Sequence, residues 1–545
     1  MSMWEDQWSG KTIRGALLDA ARRWGNREAM VFENGTLTYR QLEESSAILA
    51  RGFLSLGIGR GSVVAIWMAG YAEWPPIYYG LARIGARMVP VNTRYKPHEV
   101  EYVLNKSRAR LLIFKDEPPS KKDYTSLLYE LCPELERELG KNANSRLPYL
   151  ERIIAISEKS LPGCFSFTEL QEAGSRTAKQ KLTEAENQVQ PDDVALLQFT
   201  SGTTADPKGA MLYQTAMLRG AYYPSQSLRL SERDRYFSPQ PFFHAGGSIK
   251  VMLAPIVTGC TMVVQSYFEP GEALSLMEKY QCNVTMGHQP HYIEYLNHPD
   301  LRKRKLQLDR GLIFASPEVN RRVREELGME KLISPYGLTE THLGGTSCEI
   351  DDPVEKRINT VGRPMMGVEM GIRSAEGPGF LPQGQQGEVC FRGWCTMKGY
   401  FDDPERTVAV LDADGWLRTG DLGVVDADDY LRLIGRIKDM VRVGGENVAA
   451  ADVEGFLLRH EKIKQAVVVG MPDQRLGEVC AAFIELKAAS QATEEEILRY
   501  CRDGLASFKA PRKIIFIGNW PMTGAGKIQR YILKDSLWKT GTPQT

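Results

Sequence analysis

The stretch SVVAIWMAGYAEWPPIYYGLARIGARMVPVNTRYKPHEVEYVLNKSRARLLIF, residues 62–114, decides the fold class. It opens on SVVAIWM, an unbroken apolar run of strand length. Residues 73–85 then carry helical spacing, a short apolar run closes at Val91, residues 97–106 form another helical segment and residues 110–114 another strand. Strands that alternate with helices need crossover connections, so the reading is α/β with a parallel sheet.

Working outward, residues 37–56 space their apolar side chains as a helix does, and residues 254–264, 273–280, 284–286 and 311–315 repeat the strand and helix succession. A second layered sheet is therefore expected. Residues 115–191, rich in Lys, Glu and Ser, predict surface helices and loops with little chemistry. From 361 to 433 short strands alternate with Gly and Asp turns (GQQGEVCFRG, DADGWLRTGD, DADDYLRLIG), which predicts a small β subdomain. Beyond Gly435 come a helix at 451–459, strands at 466–469 and 481–486, a helix at 494–504, a strand at 514–517 and a terminal helix at 531–537. Thr493 and Glu496 carry a capping-box signature at the start of the 494–504 helix. The expected division is an N-terminal domain of residues 1–435 and a small α+β C-terminal domain of residues 436–545.

Composition narrows the partners. Lys plus Arg and Asp plus Glu each number 68 in 545 residues, and the hydrophobic share is 43%. This balance offers no basic surface for nucleic acid and points to small-molecule partners. The start MSMWEDQWSGK lacks a secretory pattern, and the apolar residues 251–264 are interrupted by Pro255, Thr258 and Gly259, so a cytoplasmic chain without an integral membrane segment is expected. Nine scattered cysteines read as reduced thiols, and His288 and His291 stand without the further His or Cys residues a metal centre needs. A homodimer stays open.

The chemistry concentrates in LLQFTSGTTADPKGA, residues 196–210. A strand runs there into clustered hydroxyls, glycines and a lysine. Backbone N–H groups, the hydroxyls of Thr200, Ser201, Thr203 and Thr204, the flexibility of Gly202 and the Lys208 ammonium suit polyphosphate oxygens. It is not a P-loop, because GxxxxGK[ST] is missing. Later come YGLTE at 336–340, GWLRTGDLG at 415–423, GRIKD at 435–439 and TGAGK at 523–527. These five segments, in this order, resemble the motifs of the adenylate-forming superfamily of AMP-dependent acyl-CoA synthetases, luciferases and peptide-synthetase adenylation domains. Weaker similarity begins at Thr36 and includes VPVNTRY at 89–95, so the resemblance covers nearly the whole chain.

The resemblance implies an ATP-dependent, AMP-forming ligase that converts a carboxylic acid to its acyl-adenylate and passes the acyl group to coenzyme A. It gives Lys208 and the 200–204 loop to the phosphates, Thr339 to the α-phosphate, Tyr336 to the adenine face, and Glu340 with Thr204 to Mg²⁺. Asp421 would receive the ribose hydroxyls with Arg436 beside it. Lys527 would enter for adenylation, after which the C-terminal domain would turn about Lys438 and bring RVGGEN, with Gly444 and Gly445, to the thiol substrate. The chemistry asks for such groups independently: attack of a carboxylate on the α-phosphorus brings two anions together, so cations and donors must neutralise developing charge.

For the acyl pocket the resemblance implies residues 242–247, 287–295, 315–319 and 343–345, with His244, Gly287, His288, Ala315, Leu343 and Gly344 as lining. These segments are neutral apart from Glu294 and Glu318, which favours an apolar monocarboxylic acid, whether fatty, aryl or alicyclic. Phe243 and His244 stand where peptide-synthetase modules place an aspartate, which argues against an α-amino acid. Two positions depart from the family pattern: Ala205 replaces its usual glycine, and Gln214 its common histidine. A carrier protein in place of coenzyme A, or a non-catalytic nucleotide-binding regulator, are the alternative readings.

Overall fold

The computed structural model describes residues 6–117, 122–133, 146–200, 207–374, 377, 379–444, 446–522 and 528–540. Val63–Trp67 is a strand buried along its whole length, as its β-branched and aromatic residues favour. Two prolines open the helix Trp74–Arg83, where their missing N–H groups cost nothing, and every residue of that helix is buried. Pro97–Ser107 likewise starts on proline and stops at Arg108, which turns into the left-handed region at φ 56°. The predicted crossover units are present.

They feed a seven-stranded sheet with the spatial order Phe165–Ser166, Arg152–Ile156, Leu111–Lys115, Val63–Trp67, Arg87–Pro90, Val194–Thr200 and Lys208–Tyr213. All its pairings are parallel except the last, a hairpin in which Thr200 faces Lys208. A second seven-stranded sheet runs Lys331–Ile333, Arg310–Phe314, Val284–His288, Arg235–Ser238, Thr261–Val264, Glu28–Phe32 and Gly35–Thr38. Helices fill the space between the two, in a core that includes Trp74, Tyr78, Tyr79, Phe53 and Phe242. The region 115–191 differs in part from expectation: Arg152–Ile156 is a buried strand of the first sheet, while Phe167–Arg176 and Lys179–Gln188 are helices with largely solvent-facing sides.

Val368–Arg373, Gly387–Gly393, Leu417–Val425 and Leu431–Arg436 form an antiparallel four-stranded sheet, the β subdomain. The last part of the chain builds its own sheet from Met440–Val443, Glu446–Ala449, Ile463–Asp473, Gly477–Leu486 and Lys513–Phe516, with its own apolar core. Its helix Glu494–Gly504 begins as predicted at Thr493, whose hydroxyl accepts from the Glu496 N–H at 3.2 Å. The Glu496 carboxylate turns to Lys462 at 2.7 Å, so half of the capping box is used. Among the described residues no helix is long and apolar enough to cross a membrane, and no disulfide joins the cysteines.

Candidate active site

The site follows from strand direction. In open α/β sheets ligands bind beyond the carboxyl ends of the strands, where loops diverge. Pro90, Thr200, His288 and Phe314 are the last residues of their strands, and all four line one large cleft. The β subdomain adds Asp421 and Arg436 to its rim, and the C-terminal part adds Met522, Ile528 and Arg530.

Within the cleft, Tyr336 donates from its Oη to Oδ2 of Asp421 at 2.6 Å. Asp421 and Arg436 are cross-strand partners, with Arg436 Nε 3.2 Å from Oδ1 of Asp421. Burial, reinforced by the neighbouring carboxylate, pushes the Tyr336 phenol well above its ordinary range. Gly420 has φ 73°, a conformation that costs glycine little, and its N–H is fixed by Glu388 Oε1 at 3.0 Å. This bend sets the backbone leading into Asp421.

Elsewhere on the cleft lining, Lys208 places its Nζ 5.1 Å from the centre of the Tyr400 ring, and Tyr400 donates to Glu340 Oε1 at 2.9 Å. Glu340 lies in the short turn Thr339–Thr341, closed where its carbonyl accepts from the Met397 N–H at 2.8 Å. Tyr400 thus joins a cation and a carboxylate that the sequence placed in separate motifs. Its role escaped the sequence reading, because MKGYFDDPE is not one of the five motifs and only tertiary packing delivers the ring.

The cleft also receives Lys438, Thr339, His244, His288, Ala315 and Leu343. Its lining does not include Gly287, which packs on Tyr292 and His291, or Gly344, which packs on Trp394. Gly444 is also outside the cleft, and its neighbour Arg442 shares a separate surface recess with Glu478 and Lys534. Ser201, Gly202, Thr203, Thr204, Ala205, Gly445 and Lys527 lie outside the described residues. Met522 and Ile528, on either side of the 523–527 segment, pair with each other and line the cleft.

The two acidic residues of the acyl-pocket segments face the C-terminal part. Glu318 pairs with Arg459 at 2.7 Å and Glu294 with Lys464 at 2.8 Å. A lysine stands just past the 242–247 segment: Lys250, on the helical segment Gly246–Val251, lines the cleft beside Phe314. Gln214 is buried; its Oε1 accepts from the Ile13 N–H at 2.9 Å and its Nε2 donates to the Ala82 carbonyl at 3.3 Å. It ties the first helix to the core and is absent from the cleft lining.

Residues 17–401 match the family model for AMP-binding enzymes, and residues 452–527 match that for the AMP-binding enzyme C-terminal domain. The chain belongs to the AMP-binding enzyme family. Within this adenylate-forming family it is 36% identical, over 96% of both chains, to YngI of Bacillus subtilis strain 168, whose name assigns it provisionally as an acyl-CoA synthetase. It is 34% identical to the medium-chain acyl-CoA ligase ACSF2 of Bos taurus, over 97% of this chain and 88% of the relative. Among solved structures, the anthranilate CoA ligase AuaEII in complex with anthranoyl-AMP superimposes with a TM-score of 0.85 at 26% identity, covering 97% of each chain. The chain is an AMP-forming acid–thiol ligase that uses ATP, and the regulator reading is set aside.

Proposed function

We propose that this ligase activates a carboxylic acid with an apolar body, whether fatty, aryl or alicyclic, and delivers the acyl group to coenzyme A. The observation that carries the reading is one continuous cleft lined by Lys208, Glu340 and the Tyr336, Asp421 and Arg436 set together with His244, His288 and Ala315. In the first step a carboxylate oxygen attacks the α-phosphorus of ATP, and the bond to the bridging oxygen of pyrophosphate breaks. In the second, the coenzyme A sulfur attacks the acyl carbon and the anhydride bond to AMP breaks.

Lys208, the 200–204 loop and Lys527 neutralise phosphate charge, Thr339 donates to the α-phosphate, Tyr336 packs on the adenine, and Asp421 with Arg436 orients the ribose. Mg²⁺ is commonly held by one or two carboxylates together with substrate phosphates. Glu340 fits this, with one oxygen on Tyr400 and no group of three or more His, Cys, Asp or Glu among the described residues to offer a richer site. Glu340, with Thr204, would hold the ion, which would supply further neutralisation of the phosphates. Residues 1–435 and 436–545 are the two domains, Lys438 is the pivot between them, and Gly444 and Gly445 approach coenzyme A after rotation. The setting is cytoplasmic, although the ACSF2 relatives are named as mitochondrial.

The medium-chain acids of the ACSF2 name are the first to test. Pyrophosphate release is measured across fatty, aryl and alicyclic acids, with free coenzyme A or a holo-carrier protein as acceptor. AMP and an acyl-CoA are the expected products; ADP with inorganic phosphate, or a thioester formed on the carrier alone, would overturn the proposal.

A further inference from the structure

The acyl end of the cleft contains a cation that neither step of the reaction uses. Lys250 is 5% exposed, lies one turn beyond Gly246 on the Gly246–Val251 segment, and lines the cleft. Its Nζ stands 5.1 Å from the centre of the Phe314 ring. Phe314 packs on His288 at 5.0 Å, and His288 stands edge-on to His244 at 6.3 Å, so the lysine shares the wall of the acyl chamber. No ion pair or hydrogen bond joins Lys250 to another described residue, and burial alone lowers its ammonium to about 7.

Two amides on the same lining are also open. Neither Oε1 nor Nε2 of Gln240 has a partner among the described residues, and Gln240 is 2% exposed. Gln198 donates from Nε2 to the Phe243 carbonyl at 2.9 Å, yet its Oε1 has no partner among the described residues. A Cβ on Gly246 would lie 2.9 Å from Gln240 Oε1, so the glycine lets this amide rest directly on the segment that bears Lys250. Buried polar groups are nearly always hydrogen-bonded. A lysine and two amides left open on one chamber are groups a ligand can satisfy, whereas a wholly hydrocarbon tail would leave them dry and unpaired.

We infer that the acid carries, besides the carboxyl group that is activated, a second oxygen acceptor in its tail, a carboxylate, keto or hydroxyl oxygen that Lys250 and Gln240 bind. This rests on the acyl-CoA ligase reading and specifies its substrate class. Discrimination comes from the polar groups themselves: a site built to hydrogen-bond a substrate oxygen rejects the analogue that lacks it, because its own donors are then buried without partners.

The test compares acids of equal carbon number across several chain lengths: the straight-chain acid, its ω-hydroxy and ω-oxo forms, and the dicarboxylic acid. Pyrophosphate release is followed for the wild type, Lys250→Met and Gln240→Leu, with thermal melting as a check on folding. In the wild type an oxygenated acid should exceed its parent in kcat/KM by about tenfold or more, and Lys250→Met should abolish that advantage while sparing the parent acid. A lead for the dicarboxylic acid identifies the acceptor as a carboxylate, and a lead for the hydroxy or oxo acid identifies a neutral oxygen. Should the variants fail to melt cooperatively, the wild-type ranking decides. Parent acids that lead every set, or a preference unchanged in both folded variants, overturn the inference and leave the ligase reading intact. If no acid releases pyrophosphate, the ligase reading fails and the inference falls with it.

Discussion

Tyr336 and Asp421 meet across the cleft in a 2.6 Å hydrogen bond, and Arg436 reaches the other carboxylate oxygen at 3.2 Å. The ribose that we assign to Asp421 therefore arrives at a carboxylate already held by the Tyr336 hydroxyl and paired with the Arg436 cation. Asp421→Ala would remove the ribose acceptor and take from the buried Tyr336 hydroxyl the carboxylate it donates to, leaving Thr419 beside it. Losing a charged hydrogen bond of about 1.5–3 kcal/mol raises the ATP KM about tenfold or more, and the melting temperature falls as well. Tyr336→Phe keeps the ring and should change the ATP KM by only a few fold. Titration of ATP with calorimetric melting checks both, and an unchanged KM in Asp421→Ala would remove the ribose assignment.

The two half-reactions should separate by mutation. Lys527→Ala would remove a cation from the developing phosphate charge and slow adenylation by about 10² to 10³. Acyl transfer from supplied acyl-adenylate to coenzyme A should survive. Lys438→Pro, which fixes φ near about −65°, should allow adenylate formation and slow the thioester step. Equal loss of both steps in Lys527→Ala, or no loss in Lys438→Pro, counts against rotation about this pivot.

Glu318 with Arg459 and Glu294 with Lys464 join the C-terminal part to the helices Pro317–Leu327 and Gln289–Asn297. Such rim pairs contribute about 0.2–1 kcal/mol each and weaken with salt. The double variant Glu294→Gln with Glu318→Gln should loosen this arrangement, lowering the adenylation rate a few fold while the thioester step holds or gains. The same assays at low and high salt provide the check: a wild-type ratio of the two rates that ignores salt would argue that the pairs are passive.

Acid should destabilise the fold through two buried histidines. His342 Nε2 accepts from the Tyr213 N–H at 3.1 Å, and His291 Nδ1 accepts from the His288 N–H at 3.1 Å. Protonation would set a donor against a donor, and burial lowers both rings from 6.5 to about 4. Because the folded values lie below the unfolded one, the unfolded chain takes up protons first. Stability is full above about pH 6.5 and falls toward pH 4, by on the order of 3 kcal/mol for each ring. His342→Gln should flatten the fall in melting temperature between these limits, and an unaltered slope would remove His342 from the account.

Legibility followed how local the cause was. The helix Glu494–Gly504 was readable because its cap and spacing lie within the segment itself, and Val63–Trp67 because a solid apolar run has few alternatives. Arg152–Ile156 was not, since five residues inside a polar region gain strand identity only from the neighbour Leu111–Lys115. In the site, Tyr336, Asp421, Arg436, Lys208 and Glu340 were readable from motifs. Tyr400 and Lys250 stand outside any motif, and only the packing of distant segments brings them to the cleft.

Gln214 has a practical consequence for work with this protein. Its amide is occupied by the backbone of Ile13 on one side and Ala82 on the other, so the opening helix is fastened to the interior by a side chain some 200 residues away. Trimming the chain past Thr12 would strip that amide of its donor and bare the apolar surface that Ile13, Ala16, Leu17 and Ala20 cover. Expression designs should therefore keep the segment from Trp8 onward, whose carbonyl also holds Thr215 at 2.7 Å, and place any cleavable tag ahead of it.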